Sequence, residues 1–332
     1  MQEFIKKLPK AELHVHIEGT LEPEQLLLFA ERNTIKIPYN SVDSVRASYT
    51  FANLQEFLAV YYRGQLVLCT EQDFYDLTCA YLKKAHDQGV VHAEIFFETQ
   101  TYAQRNIPFS TIINGIYSAT LASEKEYGIT SLLMLCFLRH LPPHDAFTTL
   151  QESLPHRDKI IGVGLASTEL GYPPALFKDV FAHAKSYGYH CVVHAGEAAG
   201  PEYIWQALTL LNAERIDHGV QCLSDPPLVQ ELRTRQVPLT VCPLSNIALK
   251  IYTTLSEHPI KKMFDAGLRV TINSDDPAYF GGYIADNYQA VADCCGFTQQ
   301  ELVILAKNSF VSSFLDHATQ QRYLHALELY IL

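Results

Sequence analysis

Three observations predict a (β/α)8 TIM barrel: short β-rich runs recur along the chain, amphipathic helical stretches separate them, and several of the runs are apolar without interruption. Strands covered by helices read as near-continuous apolar segments, and Ser131-Leu-Leu-Met-Leu-Cys-Phe-Leu138 is one. Eight such runs favour closure of a parallel sheet into a barrel. With 332 residues, 48% of them hydrophobic, the chain can bury that barrel's core as a single domain spanning 1–332.

In order, the expected strands are Ala11–His16, Val90–Glu98, Ser131–Leu138, Ile160–Ser167, His190–Gly196, Arg215–Gly219, Pro238–Leu244 and Arg269–Asp275. The gap between the first two exceeds what one crossover helix needs. Helical periodicity at Glu22–Glu31, Leu54–Leu68 and Glu71–Gln88 predicts a helical insertion over approximately 22–89, placed near the barrel mouth where it can act as a lid. Extra C-terminal helices are expected at Tyr283–Cys294, Gln299–Asn308 and Ser309–Leu329. No Pro/Gly/Ser-rich linker or repeat of fixed period suggests a domain cut.

The net charge of −11 and pI near 5.7 argue against a nucleic-acid partner and favour a small molecule. Met1–Lys10 lacks the apolar core of a signal peptide, and no stretch approaches the roughly 18 apolar residues of a membrane span. A soluble cytoplasmic protein without membrane association is expected. The cysteines at 69, 79, 136, 191, 222, 242, 294 and 295 form no C-x-x-C pair, so reduced thiols are expected rather than a cysteine metal site. The sequence does not specify an oligomeric state.

Barrel active sites assemble at the C-terminal ends of the strands. The first run ends in His14-Val-His16, the fifth in His194-Ala-Gly-Glu197, the sixth in Asp217-His218-Gly219 and the eighth in Asn273-Ser-Asp275-Asp276-Pro277. Strand residues two apart share a face, so His14 and His16 can offer both imidazoles to one metal ion, with His194 and Asp275 completing the set. Such N/O donors suit zinc, and iron or manganese can use the same set. A metal hydrolase also needs groups that move protons, and Glu197, His218 and Asp276 remain for that work. Each has a plainer explanation: Glu197 as the cap of a helix starting near Pro201, His218 as a core histidine, and Asp275-Asp276 as an Asx turn before Pro277. Their shared position at strand ends favours a site.

The segments Leu8–Gly19, Val193–Glu197, Ile216–Gly219, Cys242–Asn246 and Asn273–Pro277 closely resemble, in order, those of the adenosine/adenine deaminases of the amidohydrolase superfamily. That resemblance implies the metal-dependent hydrolase type of barrel, one zinc ion on His14, His16, His194 and Asp275, and a hydroxide attacking C6 of a purine. It further implies that Glu197 gives a proton to N1, His218 orients and deprotonates the water, and Asp276 bonds N7. Ser167 aligns with a family glycine at the purine N3 edge, where its N–H or hydroxyl can still donate.

Nucleoside-acting members commonly carry aspartate two residues after the H-x-H pair, and this chain has Glu18. A glutamate is one methylene longer and is expected to project into the space a ribose needs. His14–Pro23, Pro201–Trp205 and Asn273–Gly282 also resemble the bacterial and fungal adenine deaminases. The implied reaction is hydrolysis of adenine to hypoxanthine and ammonia, in purine salvage and nitrogen catabolism, with adenosine deamination and a non-catalytic purine-binding barrel as alternatives. A cytidine-deaminase-type site is excluded because its P-C-x-x-C element is missing; the two-metal barrels are disfavoured because no lysine ends a middle strand, and a metal count near two per chain would revive them.

Overall fold

Alternation along each strand decides which side chains meet which surroundings. In β1 (Lys10–His16), Ala11, Leu13 and Val15 join the main apolar core, which leaves Glu12, His14 and His16 to the other face. The same alternation runs through β2 (Val90–Phe97), β3 (Thr130–Leu138), β4 (Gly162–Ala166), β5 (His190–Ala195), β6 (Arg215–His218), β7 (Leu239–Val241) and β8 (Val270–Ile272). All eight pair in parallel and in chain order, and a parallel bridge from Val15 to Asp275 joins the last strand's end to the first. This is the TIM-barrel fold, in a computed structural model that describes residues 1–331.

Inside the barrel, Phe96, Met134, Cys136, Ala166 and Val192 pack as a small apolar group of their own, and polar residues take much of the rest. Arg215 Nη1 lies 2.5 Å from Glu94 Oε2, Arg215 Nη2 donates to the Leu13 carbonyl at 3.1 Å, and the Phe314 amide donates to Glu94 Oε1 at 2.5 Å. The guanidinium holds the Glu94 carboxyl below its usual range, overcoming the burial that pushes it up. A buried charge is tolerable only with such partners.

Helices Pro23–Arg32, Val42–Ala47, Leu54–Gln65 and Glu71–Asp87 fill the segment between β1 and β2. The second was not expected. It is a short helix started by a capping box in which Ser41 and Ser44 satisfy one another's end of the turn. Phe51, Leu54, Phe57, Leu58 and Tyr61 from this insertion pack with Leu249, Tyr279 and Phe280, so aromatic side chains cover the C-terminal mouth of the barrel.

Several expected boundaries move. The seventh strand stops at Val241 because Pro243 opens a helix, Pro243–Ala248, and the eighth stops at Ile272 because Asp275 takes a φ of +64° that no strand accommodates. No helix break occurs at Ser309. Gln299–Val311 runs through it, since the Ser309 hydroxyl donates to the Ala306 carbonyl and accepts the Ala11 amide, and the last helix starts at His317. Among the described residues no helix is long and apolar enough to cross a membrane.

Replacing Arg215 by Met leaves Glu94 buried without its partner, and the expected loss is about 3–5 kcal/mol of unfolding free energy in urea titration. A loss below about 1 kcal/mol contradicts the role assigned to the pair.

Candidate active site

Four strand ends converge beneath the aromatic cover. His14, His194, His218 and Asp275 each place one donor atom within 4.8 Å of the others. His16 joins them: its Nε2 lies 3.1 Å from His194 Nε2 and 3.5 Å from Asp275 Oδ1, while His14 Nε2 lies 3.2 Å from the same oxygen. Two ligands about 2.0–2.1 Å from a tetrahedral zinc are about 3.3–3.4 Å apart, so these spacings match edges of one coordination tetrahedron. His218 Nε2 sits farther off, 3.8 Å from Asp275 Oδ2 and 3.8 Å from Glu197 Oε1.

Neighbouring side chains set the histidine tautomers. The Thr240 hydroxyl donates to Asp217 Oδ1 at 2.8 Å, so its contact with His14 Nδ1 at 3.0 Å is one in which the ring N–H donates to it. That leaves the His14 Nε2 lone pair facing the cluster, where it has no hydrogen-bond partner although buried. His194 Nδ1 lies 3.1 Å from Asp217 Oδ2, and the Ser245 hydroxyl donates to Asp275 Oδ2 at 2.6 Å. His14, His194 and Asp275 are thus each aimed by a second group, the usual support of a metal-binding imidazole or carboxylate. An orphaned buried nitrogen, tetrahedral spacings and borderline N/O donors all fit a zinc ion.

Electrostatics separates the carboxyl groups into two kinds. Asp275 is held well below the ordinary range, its burial outweighed by His14, His218 and His16 around it. Glu197 is pushed well above it by burial and by the charges of Asp275 and Glu169, and Asp276 by burial and by Asp275. Both are thereby biased towards the protonated form, and Asp276 Oδ1 is buried without a partner. Burial drives His218 well below the usual imidazole range and His16 down to about 3. Neutral His218 can accept a proton.

The loop bearing Glu197 is held by one residue. Glu169 accepts the amides of Gly196, Glu197, Ala198 and Ala199 at 2.6, 3.2, 2.7 and 2.8 Å. Helix Pro201–Leu210 begins after Gly200, so Glu197 does not serve as its cap. It faces a cavity of about 520 Å³, counted to its mouth, together with His16, His194, His218, Asp275, Asp276 and Ser167. Strain concentrates here: Ser167, His218 and Asp275 take φ of +79°, +64° and +64°, conformations disfavoured for side chains with a Cβ.

Glu18 lies elsewhere than expected. It does not line the cavity. Sitting in the turn Glu18–Thr20, its Oε1 accepts the Glu98 amide at 3.1 Å and its Oε2 meets the Tyr61 hydroxyl at 3.5 Å. Burial and the Glu98 carboxylate push it up to about 8. Any influence on substrate passes through Glu98 and Tyr61, which do line the cavity. Ser167 Oγ lies 2.8 Å from both the Tyr62 hydroxyl and His140 Nδ1, which ties helix Leu54–Gln65 to the ends of β3 and β4.

Sequence reasoning assigned no role to Asp217, Thr240, Ser245, Glu169 or Glu98. Asp217 and Ser245 stood within the motif segments. Thr240 is a single hydroxyl in an apolar run, and nothing along the chain links it to His14.

The family model for adenosine deaminase matches residues 9–329. The chain belongs to the adenosine deaminase family. Within that family it is 54% identical over 327 residues to a protein of Sphingopyxis alaskensis named adenine deaminase, covering 98% of this chain and 96% of that one. The crystal structure of adenine deaminase from Arthrobacter aurescens superposes with a TM-score of 0.96 at 43% identity, covering 97% and 99% of the two chains. An amidohydrolase from Burkholderia ambifaria with bound Zn has the same fold, with a TM-score of 0.91, 23% identity and coverage of 99% and 93%.

Removing a tautomer-setting group is expected to weaken zinc binding. Asp217→Asn is predicted to lose about 10–100-fold in zinc affinity in a competition titration against a chelator. Unchanged affinity contradicts the orienting role.

Proposed function

We propose that this protein hydrolyses adenine to hypoxanthine and ammonia, with one zinc ion held by His14, His16, His194 and Asp275. The observation that carries the reaction type is a buried Glu197, pushed well above the ordinary carboxylate range, placed 3.8 Å from a His218 held well below the imidazole range, at the edge of the donor cluster. The choice of adenine is supported by the likeness to proteins named adenine deaminase. When bound, zinc supplies Lewis acidity that lowers the pKa of a coordinated water from 15.7 towards about 7.

The side chains divide the work. Glu197 gives its proton to N1 as water oxygen adds to C6, which prevents negative charge from building on the ring. His218 faces the same carbon and takes the proton from that water. Protonated Asp276 donates to N7 and fixes the ring's orientation, and Ser167 donates to N3. In the second half, the His218 proton passes to the amino nitrogen, ammonia leaves, and the C6 hydroxyl returns a proton to Glu197. Hypoxanthine keeps the proton on N1, and both groups regain their starting states.

The insertion 22–89 acts as the lid that excludes bulk water, which strengthens each of these polar contacts. We read residues 1–332 as one domain: β1 pairs with β2 and bridges to the end of β8, so a cut anywhere between β1 and β8 divides the sheet. A small purine is the partner, and the cytoplasm the place of action.

Glu197→Gln should retain zinc and lose about 10²–10⁴ in kcat, since an amide cannot supply the N1 proton. Because Glu197 acts in its protonated form, kcat/KM in the wild type is expected to fall as pH rises through its raised pKa. Activity rising through that range instead contradicts the assignment. On the two candidate substrates, kcat/KM for adenine is expected to exceed that for adenosine by at least about 100-fold, and equal values overturn the choice of adenine.

A further inference from the structure

A purine seated with N1 at Glu197 and N7 at Asp276 turns its N3–N9 edge away from the donor cluster, towards the lid and the ends of β2 and β4. When N7 accepts a proton from Asp276, free adenine carries its own proton on N9. That N–H is a donor no nucleoside has, because N9 then bears the sugar. A buried donor left without an acceptor costs binding, so the cavity needs an acceptor there.

The lining offers few. Ser167 Oγ already contacts Tyr62 and His140, and the Tyr61 hydroxyl points at Glu18. Glu98 is the lining carboxyl outside the reacting cluster, and it follows the end of β2. β1 separates β2 from the end of β8, so Glu98 and Asp276 flank the same side of the mouth, the side of the five-membered ring. Glu98 Oε2 accepts the Thr101 amide at 3.0 Å and Oε1 accepts the Thr101 hydroxyl. A carboxyl group offers up to about four lone-pair positions, so capacity for a ligand remains. Its own amide is anchored on Glu18, which fixes where the side chain starts.

We propose that Glu98 accepts the N9–H of the purine and is the residue that selects a free base over a 9-substituted one. The proposal rests on the adenine-deaminase reading above and moves the discrimination from Glu18, which anchors the backbone, to Glu98, which meets the ligand. A 9-substituent replaces the hydrogen bond with a carbon pressed on a polar oxygen, the kind of mismatch that discriminates steeply.

The test compares adenine with 9-methyladenine in wild type, Glu98→Gln and Glu98→Met. Wild type should prefer adenine by at least about 10³ in kcat/KM, as expected for loss of a hydrogen bond together with a clash. Glu98→Met keeps the volume and removes the acceptor, so adenine should lose about 10²-fold and 9-methyladenine less than about 3-fold. Glu98→Gln keeps a carbonyl oxygen and should retain adenine activity within about 10-fold of wild type. Wild type accepting both substrates alike, or Glu98→Met losing equally on both, overturns the proposal. Wild type inactive on adenine overturns the underlying reading instead. If Glu98→Met does not fold, calorimetry of wild type with hypoxanthine and 9-methylhypoxanthine decides the matter: product bound at least about 10²-fold more tightly than its 9-methyl form supports the proposal, and equal affinity overturns it.

Discussion

The rest of the site answers to one buried negative charge, that of Asp275. It lies within 3.2–3.8 Å of His14, His16 and His218, away from water. A lone carboxylate so placed would take a proton, and it stays ionised because imidazoles and the Ser245 hydroxyl surround it. Its charge also acts outward. Together with burial it pushes Glu197 and Asp276 well above the ordinary carboxylate range. Environments that push neighbouring carboxyl groups apart in this way mark a site able to divide acid and base work between them.

Backbone geometry enforces this separation. Asp275 reaches inward from a left-handed conformation and is bridged to β1 through its own amide and carbonyl, bonded to His14 O at 3.0 Å and His16 N at 2.9 Å. The closing seam of the barrel therefore sets the relative positions of three of the five donors. Gly19 lies so close that a Cβ there would stand 2.0 Å from Asp276 Oδ1, so the turn after β1 also confines the neighbouring acid. Glu169 does the corresponding work for Glu197 with four amide contacts.

Much of this was legible along the chain. Short β-rich runs, several of them apolar without interruption, located all eight strands, because both faces of a barrel strand are enclosed. Polar residues at strand ends pointed to the cluster, and the structure brings His14, His16, His194, His218 and Asp275 together there. Boundaries failed where local rules compete: Pro243 ended a strand early, and Ser309 continued a helix because its hydroxyl found partners on that helix and on β1. Glu18 is a different case. Its side-chain length is visible in sequence, but its direction is set by the Glu98 amide, a contact between neighbouring strands. Thr240 and Glu169 stayed hidden because their partners lie far off along the chain.

A single metal centre built from three strand ends underlies the whole site. Zinc titration of metal-stripped protein, followed by calorimetry together with metal analysis of the loaded form, tests that most directly. The account predicts close to one zinc per chain, with Asp275→Ala abolishing tight binding and His218→Ala preserving it. Two tightly bound metals per chain, or loss of binding in His218→Ala with retention in His16→Ala, would contradict it.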